Sequence, residues 1–408
     1  MPRVKLRFGV VLLLGLALLV GGPSDARDEA AKNGPPVANA ETIAALIKQL
    51  DDPLFKNRED AIKRLVAAGE TALPMLRKVA DDRSADPDVR LRAARAIRQI
   101  EQAGFGEERR FEGHHGTNSR WATRVAVTAD GKQAVSVGFD TLRLWDLAGG
   151  KEVRAFGATN TGYWAVSLSR DGRRVLAGGG DHVARVFDVQ TGQEIRQLIG
   201  HNSAVWGAVL SDDGKRAVTG AWDQSLRVWD VDMGKEIRAF KAVRGNVRCL
   251  ALSPDGKFVA AGHFLQVNGP GTVRLWDIEK GQEVRAFEGH TLEVTSVAFS
   301  ADGKMLLTSS FDKTLRLWTV ATGKEIKRLT GHTNRIEGAA FTPDGRRVIS
   351  CGAEQDPTVR LWDVASGKQL FASEPVAEGF LSVAVLPDGH YALTSGKDGV
   401  LRLWHWTR

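Results

Sequence analysis

Cysteine, metal-binding spacings and nucleotide-binding motifs are scarce or missing in this sequence. Two cysteines in 408 residues, Cys249 and Cys351, indicate a fold that does not depend on disulfide bonds. The histidines show no metal-ligand spacing, and the chain has neither a phosphate-loop motif nor a nucleophile-elbow motif. We therefore expect no metal, no cofactor and no catalytic activity.

A surface dominated by charge of one sign is also lacking. The formal net charge is +7, but lysine and arginine alternate with glutamate in segments such as GKEVRAF and GKEIRAF. This alternation is typical of a solvated strand face, and no dense basic block with interleaved aromatic residues occurs. We therefore expect no nucleic-acid partner, despite the basic isoelectric point.

Long hydrophobic runs are limited to one, at the N-terminus. Basic residues at positions 3, 5 and 7 precede an apolar run from Phe8 to Val20, and the small residues Ser24 and Ala26 follow. This order is typical of a secretory signal peptide over residues 1–26. A retained membrane anchor is the alternative, but a spanning helix needs about 20 apolar residues. We expect cleavage and export to the periplasm, the cell envelope or the medium, with membrane attachment only if the segment is retained.

The most informative feature that is present is a repeat. Seven segments, from TLRLWDL to VLRLWHW, end on an aromatic residue that aspartate usually follows. The aromatic residues are Trp145, Phe187, Trp229, Trp276, Trp318, Trp362 and Trp404. Asp-Gly pairs keep the same period and begin at Asp130, Asp171, Asp213, Asp255, Asp302, Asp344 and Asp388. A period in the low forties carrying Trp-Asp is typical of a β-propeller blade.

Over residues 107–408 these repeats resemble the WD40 family, in an exported bacterial type. The resemblance implies an all-β, seven-bladed propeller in which each repeat supplies the outer strand of one blade and three inner strands of the next. The first outer strand, around Glu108–Glu112, and the last three strands, ending at Trp404, then lack partners. We expect them to pair and close the ring, which leaves only short sheet edges. Arginine stands two residues before each aromatic residue, and we expect its stem to pack between blades.

Three repeats combine histidine, serine or threonine, aspartate and tryptophan at regular spacing. The sets are His201, Thr219, Asp223 and Trp229; His290, Thr308, Asp312 and Trp318; and His332, Ser350, Asp356 and Trp362. An active site would occur once, whereas this set recurs, and in WD40 proteins it forms a buried hydrogen-bonded tetrad. We therefore predict a structural role. The first blade has a looser version with His114 or His115, Ser136, Asp140 and Trp145.

The positions that vary between repeats point to a binding face. WD40 partners commonly dock where loops enter the innermost strands, seven or nine residues before each Asp-Gly and one before the tetrad aspartate. Four of the five tryptophans outside the framework fall there, and Trp and Arg are enriched in interface hot spots. The predicted partner-binding residues are Trp121, Phe139, Trp164, Trp206, Trp222, Arg248, Phe311, Arg335 and Glu337. Alternatively, these indoles plug the central channel or pack under loops. We expect the longer loop 263–271 to fold over the same rim.

A helical segment precedes the repeats. Residues 27–40 are polar with adjacent prolines and predict a flexible linker. Over residues 41–105 the apolar residues follow helical spacing, which predicts four short helices. The four helices resemble two HEAT-type hairpins. Because solenoids usually need about three stacked repeats, we expect this segment to lean on the propeller or on a partner.

These observations favour a non-catalytic, exported scaffold that binds a protein or peptide on the propeller face. A propeller that binds carbohydrate or a small ligand by stacking on exposed indoles is the alternative. An envelope enzyme is a third hypothesis, but it would need clustered carboxylates, metal-spaced histidines or a cofactor motif near the channel. The sequence contains none of these.

Overall fold

The computed structural model describes residues 39–115, 120–240, 245–264 and 269–406. The chain divides into two compact units, and the boundary between them along the sequence lies between Ile97 and Arg98. Within the described ranges, no helix is long and apolar enough to cross a membrane. The predicted signal peptide, and the predicted linker up to residue 38, lie outside the described residues.

The first unit contains the four predicted helices. They are α1 (Ala40–Lys48), α2 (Phe55–Ala67), α3 (Leu73–Asp81) and α4 (Pro87–Ala103), with short 3₁₀ turns at Gln49–Asp51 and Gly69–Ala72. Local signals set the helix boundaries. The Oδ1 atom of Asn39 accepts from the backbone N–H of Thr42 at 2.8 Å and caps α1, and Gly69 after α2 has φ +60°. Pro74 lies in the first turn of α3, where its missing N–H has no cost.

The second unit is a propeller of seven four-stranded antiparallel sheets, as predicted. Blades one to three are β2 (Ala122–Val127), β3 (Gln133–Gly138), β4 (Leu142–Asp146), β5 (Lys151–Phe156); β6 (Tyr163–Leu168), β7 (Arg174–Gly179), β8 (Val183–Asp188), β9 (Glu194–Ile199); and β10 (Val205–Leu210), β11 (Arg216–Ala221), β12 (Leu226–Asp230), β13 (Lys235–Phe240). Blades four and five are β14 (Asn246–Leu252), β15 (Phe258–Phe264), β16 (Gly271–Asp277), β17 (Gln282–Phe287); and β18 (Val294–Phe299), β19 (Met305–Ser310), β20 (Thr314–Thr319), β21 (Glu325–Thr330). Blade six is β22 (Ile336–Phe341), β23 (Arg347–Gly352), β24 (Val359–Asp363) and β25 (Gln369–Ala372).

The seventh blade combines the two ends of the repeat region. Its strands are β26 (Phe380–Val385), β27 (Tyr391–Gly396) and β28 (Val400–Trp406), and its outer strand is β1 (Phe105–Glu112). β1 pairs with β28 in antiparallel register, which confirms the predicted ring closure. Phe111 on β1 is buried and packs edge-on against Trp145 of blade one, with ring centroids 5.8 Å apart. The closing strand therefore joins blade seven to blade one.

The Asp-Gly pairs form tight turns between the first and second strands of each blade. In the first blade, the hydroxyl of Thr128 donates to Asp130 Oδ1 at 2.6 Å, and the same oxygen accepts from the backbone N–H of Lys132 at 3.0 Å. Gly131 has φ +69°, a conformation that favours glycine. These turns lie at the opposite end of the strands from the loops that enter the innermost strands.

Every innermost strand carries a β-bulge near its start. In blade three, Val205 pairs with Ala221 and Gly207 pairs with Gly220, so Trp206 has no partner in the register. A bulge bends the strand and re-aims the extra side chain. The bulged residues are Thr123, Trp164, Trp206, Arg248, Thr295, Glu337 and Leu381. They are the residues seven positions before each Asp-Gly, so one backbone irregularity presents all seven at the same end of the channel.

The seven repeated arginines bind within their own blades. Arg143 donates to Asp140 at 2.9 Å and to Glu152 at 2.6 Å, so it connects strand β4 both to the loop before it and to β5. Arg402 lies 3.4 Å from Glu107 and thereby bridges β28 to the closing strand β1. Their guanidinium groups tie the third strand of a blade to the fourth. These bonds are structural, and the packing of the arginine stems between blades stays a prediction.

Candidate functional site

The predicted tetrads are chains of hydrogen bonds inside single blades. In blade five, Trp318 Nε1 lies 2.9 Å from Thr308 Oγ1, which lies 2.7 Å from His290 Nε2, and His290 Nδ1 lies 2.7 Å from Asp312. An indole N–H can only donate, so the Thr308 hydroxyl accepts from Trp318 and donates to His290. His290 Nδ1 therefore carries the proton and donates to Asp312. The sets around His201 and His332 have the same connectivity.

The first blade contains a fourth tetrad, and His114 is its histidine. His114 Nε2 lies 2.7 Å from Ser136 Oγ, which accepts from Trp145 Nε1 at 2.8 Å. His114 Nδ1 lies 3.0 Å from Asp140. Of the two histidines that the sequence offered, His115 takes no part in these bonds.

Burial explains why these sets do not act as catalytic triads. Burial lowers the pKa of His290 more than the neighbouring Asp312 raises it, so the imidazole is neutral near pH 7. Burial alone would raise the pKa of Asp312, but the hydrogen bonds that its carboxylate accepts from His290 and Thr314 outweigh burial, and the pKa of Asp312 is lowered. The hydroxyl-bearing residues Thr219, Thr308 and Ser350 are fully buried, so a substrate cannot reach them. The tetrads hold strands together.

The fourth blade departs from this pattern. Ala261 stands where blade three has Thr219, and in the described part of the chain Trp276 Nε1 has no acceptor. His263, two residues further along β15, is fully buried, and neither ring nitrogen has a hydrogen-bond partner among the described residues. Burial lowers the pKa of His263 to about 3. This imidazole is therefore neutral and packs inside the blade.

At the bulged end of the channel, five predicted aromatic residues form a continuous arc. Trp121 contacts Phe139 edge-on at 5.7 Å between ring centroids, and Phe139 contacts Trp164 at 4.9 Å. Trp164 stacks on Trp206 at 4.1 Å, and Trp206 stacks on Trp222 at 4.7 Å. Two indoles this close cannot share one face of Trp206 without overlapping, so Trp206 is sandwiched. We call these five residues, with the one described next, the aromatic arc.

Phe264 is the sixth member of the aromatic arc and was missed in the sequence analysis. Its ring meets Trp222 edge-on at 5.9 Å. It occupies the position in blade four that Trp222 occupies in blade three, because each lies three residues after the partner of the framework arginine. Counting nine residues forward from Asp255 would have found it, as the same count from Asp213 gives Trp222. Phe264 had been assigned to the predicted loop 263–271, but it is the last residue of β15. Residues 265–268 of that loop lie outside the described residues.

A glycine makes room for the stack in blade two. Gly180 precedes Asp181, at the position that carries Phe139 in blade one and Trp222 in blade three. A Cβ atom there would lie 2.4 Å from the carbonyl oxygen of Thr161 and 3.2 Å from Trp164 Nε1. A side chain at residue 180 would therefore push Trp164 away from Trp206.

Charged side chains complete the circle opposite the aromatic arc. Arg248 forms ion pairs with both Glu293 and Glu337, and its guanidinium lies 4.8 Å from the ring of Phe311. Arg335 covers Phe311 at 5.1 Å. Glu337 is only 4% exposed, and its carboxylate orients Arg248. Its predicted contact with a partner stays a prediction. We call Arg248, Arg335, Glu293, Glu337 and the pair described next the charged arc.

The last pair joins the two arcs. Glu354 binds Lys397 and lies 3.9 Å from Arg335. Lys397 Nζ lies 4.6 Å above the ring of Trp121. On the other side, the guanidinium of Arg248 lies 5.6 Å from the ring centre of Trp206. The two arcs and Phe311 thus form an unbroken ring around the mouth of the central channel, and all nine predicted partner-binding residues belong to it. The mouth encloses about 300 Å³ and receives residues from all seven blades.

The arrangement favours binding over chemistry. No group of three or more histidine, cysteine, aspartate or glutamate residues in the described ranges could hold a metal ion. The carboxylates of the charged arc are engaged by arginine and lysine. Burial raises the pKa of the Cys249 thiol, which lies beside the channel, to about 12, so this cysteine is a poor nucleophile.

Comparison with known families agrees with the geometry. The family model for the WD domain, G-beta repeat, matches residues 150–188, 192–230, 234–277, 281–319, 323–363 and 375–405, which together make up more than half of the chain. Each match ends one residue after the aromatic residue of a repeat, from Phe187 to Trp404. No curated protein matches the chain.

Proposed function

The chain belongs to the WD40-repeat family, whose propellers typically mediate protein interactions, and from this premise we propose that it is an exported, non-catalytic scaffold. Its ligand is a protein or a peptide that binds the channel mouth between the aromatic arc and the charged arc. The observation that carries this proposal is the unbroken ring of aromatic and ionic side chains at one end of the channel. Tryptophan and arginine in such a setting are typical hot-spot residues.

The stacking within the aromatic arc supports a protein ligand over a sugar. Binding of a sugar by stacking requires a free indole face. Both faces of Trp206 are covered by Trp164 and Trp222, and Lys397 lies over Trp121. The parts of the arc that are left for a ligand are ring edges, which suit apolar side chains.

Site-specific photo-crosslinking tests the proposed face. Trp222 and Met233 are both exposed, at 36% and 61%, and both lie in blade three. Trp222 lies at the channel mouth, whereas Met233 lies in the β12–β13 turn at the opposite end of the strands. A photoreactive residue at 222 should give a discrete crosslink to a polypeptide in intact cells, and the same residue at 233 should not. Equal crosslinking from both positions, or from 233 alone, would place the interaction elsewhere.

We expect the mature protein to begin near Arg27 and to lie outside the cytoplasm. The support for export is the order of basic, apolar and small residues over residues 1–26. N-terminal sequencing of the protein from fractionated cells measures this directly. An intact Met1 on soluble cytoplasmic protein would exclude export, and an intact Met1 in the membrane fraction would indicate a retained anchor.

A further inference from the structure

Arg124 is a cation at the channel mouth that belongs to neither arc. It follows the bulged residue Thr123 on β2, and its side chain lines the same mouth as the two arcs. The equivalent residues of the other blades are small: Ala165, Gly207, Cys249, Ser296, Gly338 and Ser382. Arg124 therefore extends into space that six blades leave open, one residue deeper than the rim.

The hydrogen bonds of Arg124 leave its charge uncompensated. Its Nη1 donates to the backbone carbonyls of Thr123 and Leu381, at 2.9 and 2.8 Å, and Leu381 belongs to the seventh blade. Among the described residues, no carboxylate lies within ion-pair distance of Arg124. Burial and the nearby charge of Arg248 lower the pKa of Arg124, which shows that the surroundings disfavour a second positive charge.

The other charges of the mouth balance one another almost completely. The cations Arg248, Arg335 and Lys397 are paired with the carboxylates Glu293, Glu337 and Glu354. The charges of these three cations and three carboxylates sum to zero, so Arg124 gives the mouth one net positive charge. A ligand that carries one negative charge would complete the set.

A positively charged ligand fits poorly. The ring faces that could attract it are already covered: Trp164 and Trp222 cover both faces of Trp206, Arg248 lies over Phe311, and Lys397 lies over Trp121. The carboxylates Glu293 and Glu337 are both engaged by Arg248. A ligand cation would have to displace one of these groups and would then face Arg124.

We propose that the channel mouth recognises an acidic side chain, glutamate or aspartate, of the bound peptide, with Arg124 as its counter-ion and the aromatic arc holding an adjacent apolar residue. This inference rests on the proposed function, because it names the chemistry of the ligand at the same face. The mouth encloses about 300 Å³, a size that suits one or two side chains rather than a folded domain. The partner therefore inserts an acidic residue and spreads the rest of its chain over the rim.

A peptide experiment on the full chain tests the proposal. A bead library of random peptides with amidated C-termini is screened against the unmodified protein, and binders are resynthesised with each acidic residue changed to its amide. We expect binders to be enriched in glutamate or aspartate. We expect one Glu→Gln change in a binder to weaken binding about tenfold or more, since it leaves the recessed arginine unpaired.

Protein variants then assign the effect to Arg124. Binding of the glutamate peptide to Arg124→Gln should fall by a similar factor, and the Gln peptide should lose nothing further on that variant. Arg170→Gln is the matched control, because Arg170 is exposed in the turn at the opposite end of blade two and should leave binding unchanged. Arg124→Gln removes a bond to blade seven, so the melting temperature of each variant is measured alongside.

The outcomes separate this inference from the proposed function. Binders without acidic enrichment, or a Glu→Gln change in the peptide that leaves binding on the unmodified protein within threefold, would overturn the role of Arg124 and leave peptide binding intact. Binding that requires a free C-terminal carboxylate would overturn the assignment to a side chain. A complete lack of binders in amidated and free-acid libraries would contradict the proposed function and, with it, this inference.

Discussion

Replacing residues 107–112 with six glycine and serine residues should lower the melting temperature of the protein by about 10 °C or more. The replacement removes most of β1, including the buried Phe111, and breaks the register with β28. Burial of one phenylalanine side chain contributes about 1.5–3 kcal/mol. The larger loss arises because blade seven then loses the paired strand through which the chain continues into blade one. Thermal unfolding followed by circular dichroism measures the change.

Two controls make the ring-closure experiment specific. The same replacement in β13 (Lys235–Phe240) removes an outer strand of equal length from blade three but leaves the blade connected to its neighbours on both sides. We expect it to be less destabilising. Deletion of residues 27–38 should have almost no effect, and it stops before Asn39, which caps α1. If the β1 variant and the β13 variant have the same melting temperature, ring closure by β1 has no special role in stability.

Changing both Trp164 and Trp206 to alanine should abolish capture of the partner while the melting temperature falls only slightly. Truncation of an interface anchor typically costs ~2 kcal/mol or more of binding, which corresponds to a loss of about thirtyfold for each residue. Both indoles are partly exposed and pack mainly on each other and on Trp222. Crosslinking from position 222, together with thermal unfolding, provides the two readouts.

Trp406 is the matched control for the double variant. It is the fifth tryptophan outside the framework, but it is buried at 2% exposure in the seventh blade. Trp406→Ala should lower the melting temperature and leave capture unchanged in the fraction that still folds. If the double variant behaves like Trp406→Ala, the indoles of the aromatic arc are core residues and the face lies elsewhere.

The sequence predicted the parts of the fold that are repeated. A single Trp-Asp segment would have been ambiguous, but seven at a nearly constant period determine the number of blades and the pairing of β1 with β28. The tetrads were predictable for the same reason, because His290 and His332 each lie 18 residues before the hydroxyl residue of their set, Thr308 or Ser350. Repetition turns weak local signals into a strong one.

The same reasoning was weaker wherever one blade differs from the others. Phe264 was missed because this position was counted back from the tetrad aspartate, and blade four has no such aspartate after Phe264. For Glu337 a contact with a partner was predicted, but its ion pair with Arg248 was not, because this pair crosses from blade six to blade four. Such contacts between distant repeats depend on side-chain length and angle, which a period cannot show.

The bulge near the start of each inner strand separates recognition from folding. A residue such as Trp206 has no partner in the strand register, so replacing it does not shift the pairing of Val205 or Gly207. The side chains at these seven positions can therefore be replaced while the strand pairing of each blade stays the same. A new binding specificity could be engineered into this propeller by substituting a few bulged residues and leaving the tetrads, turns and closing strand as they are.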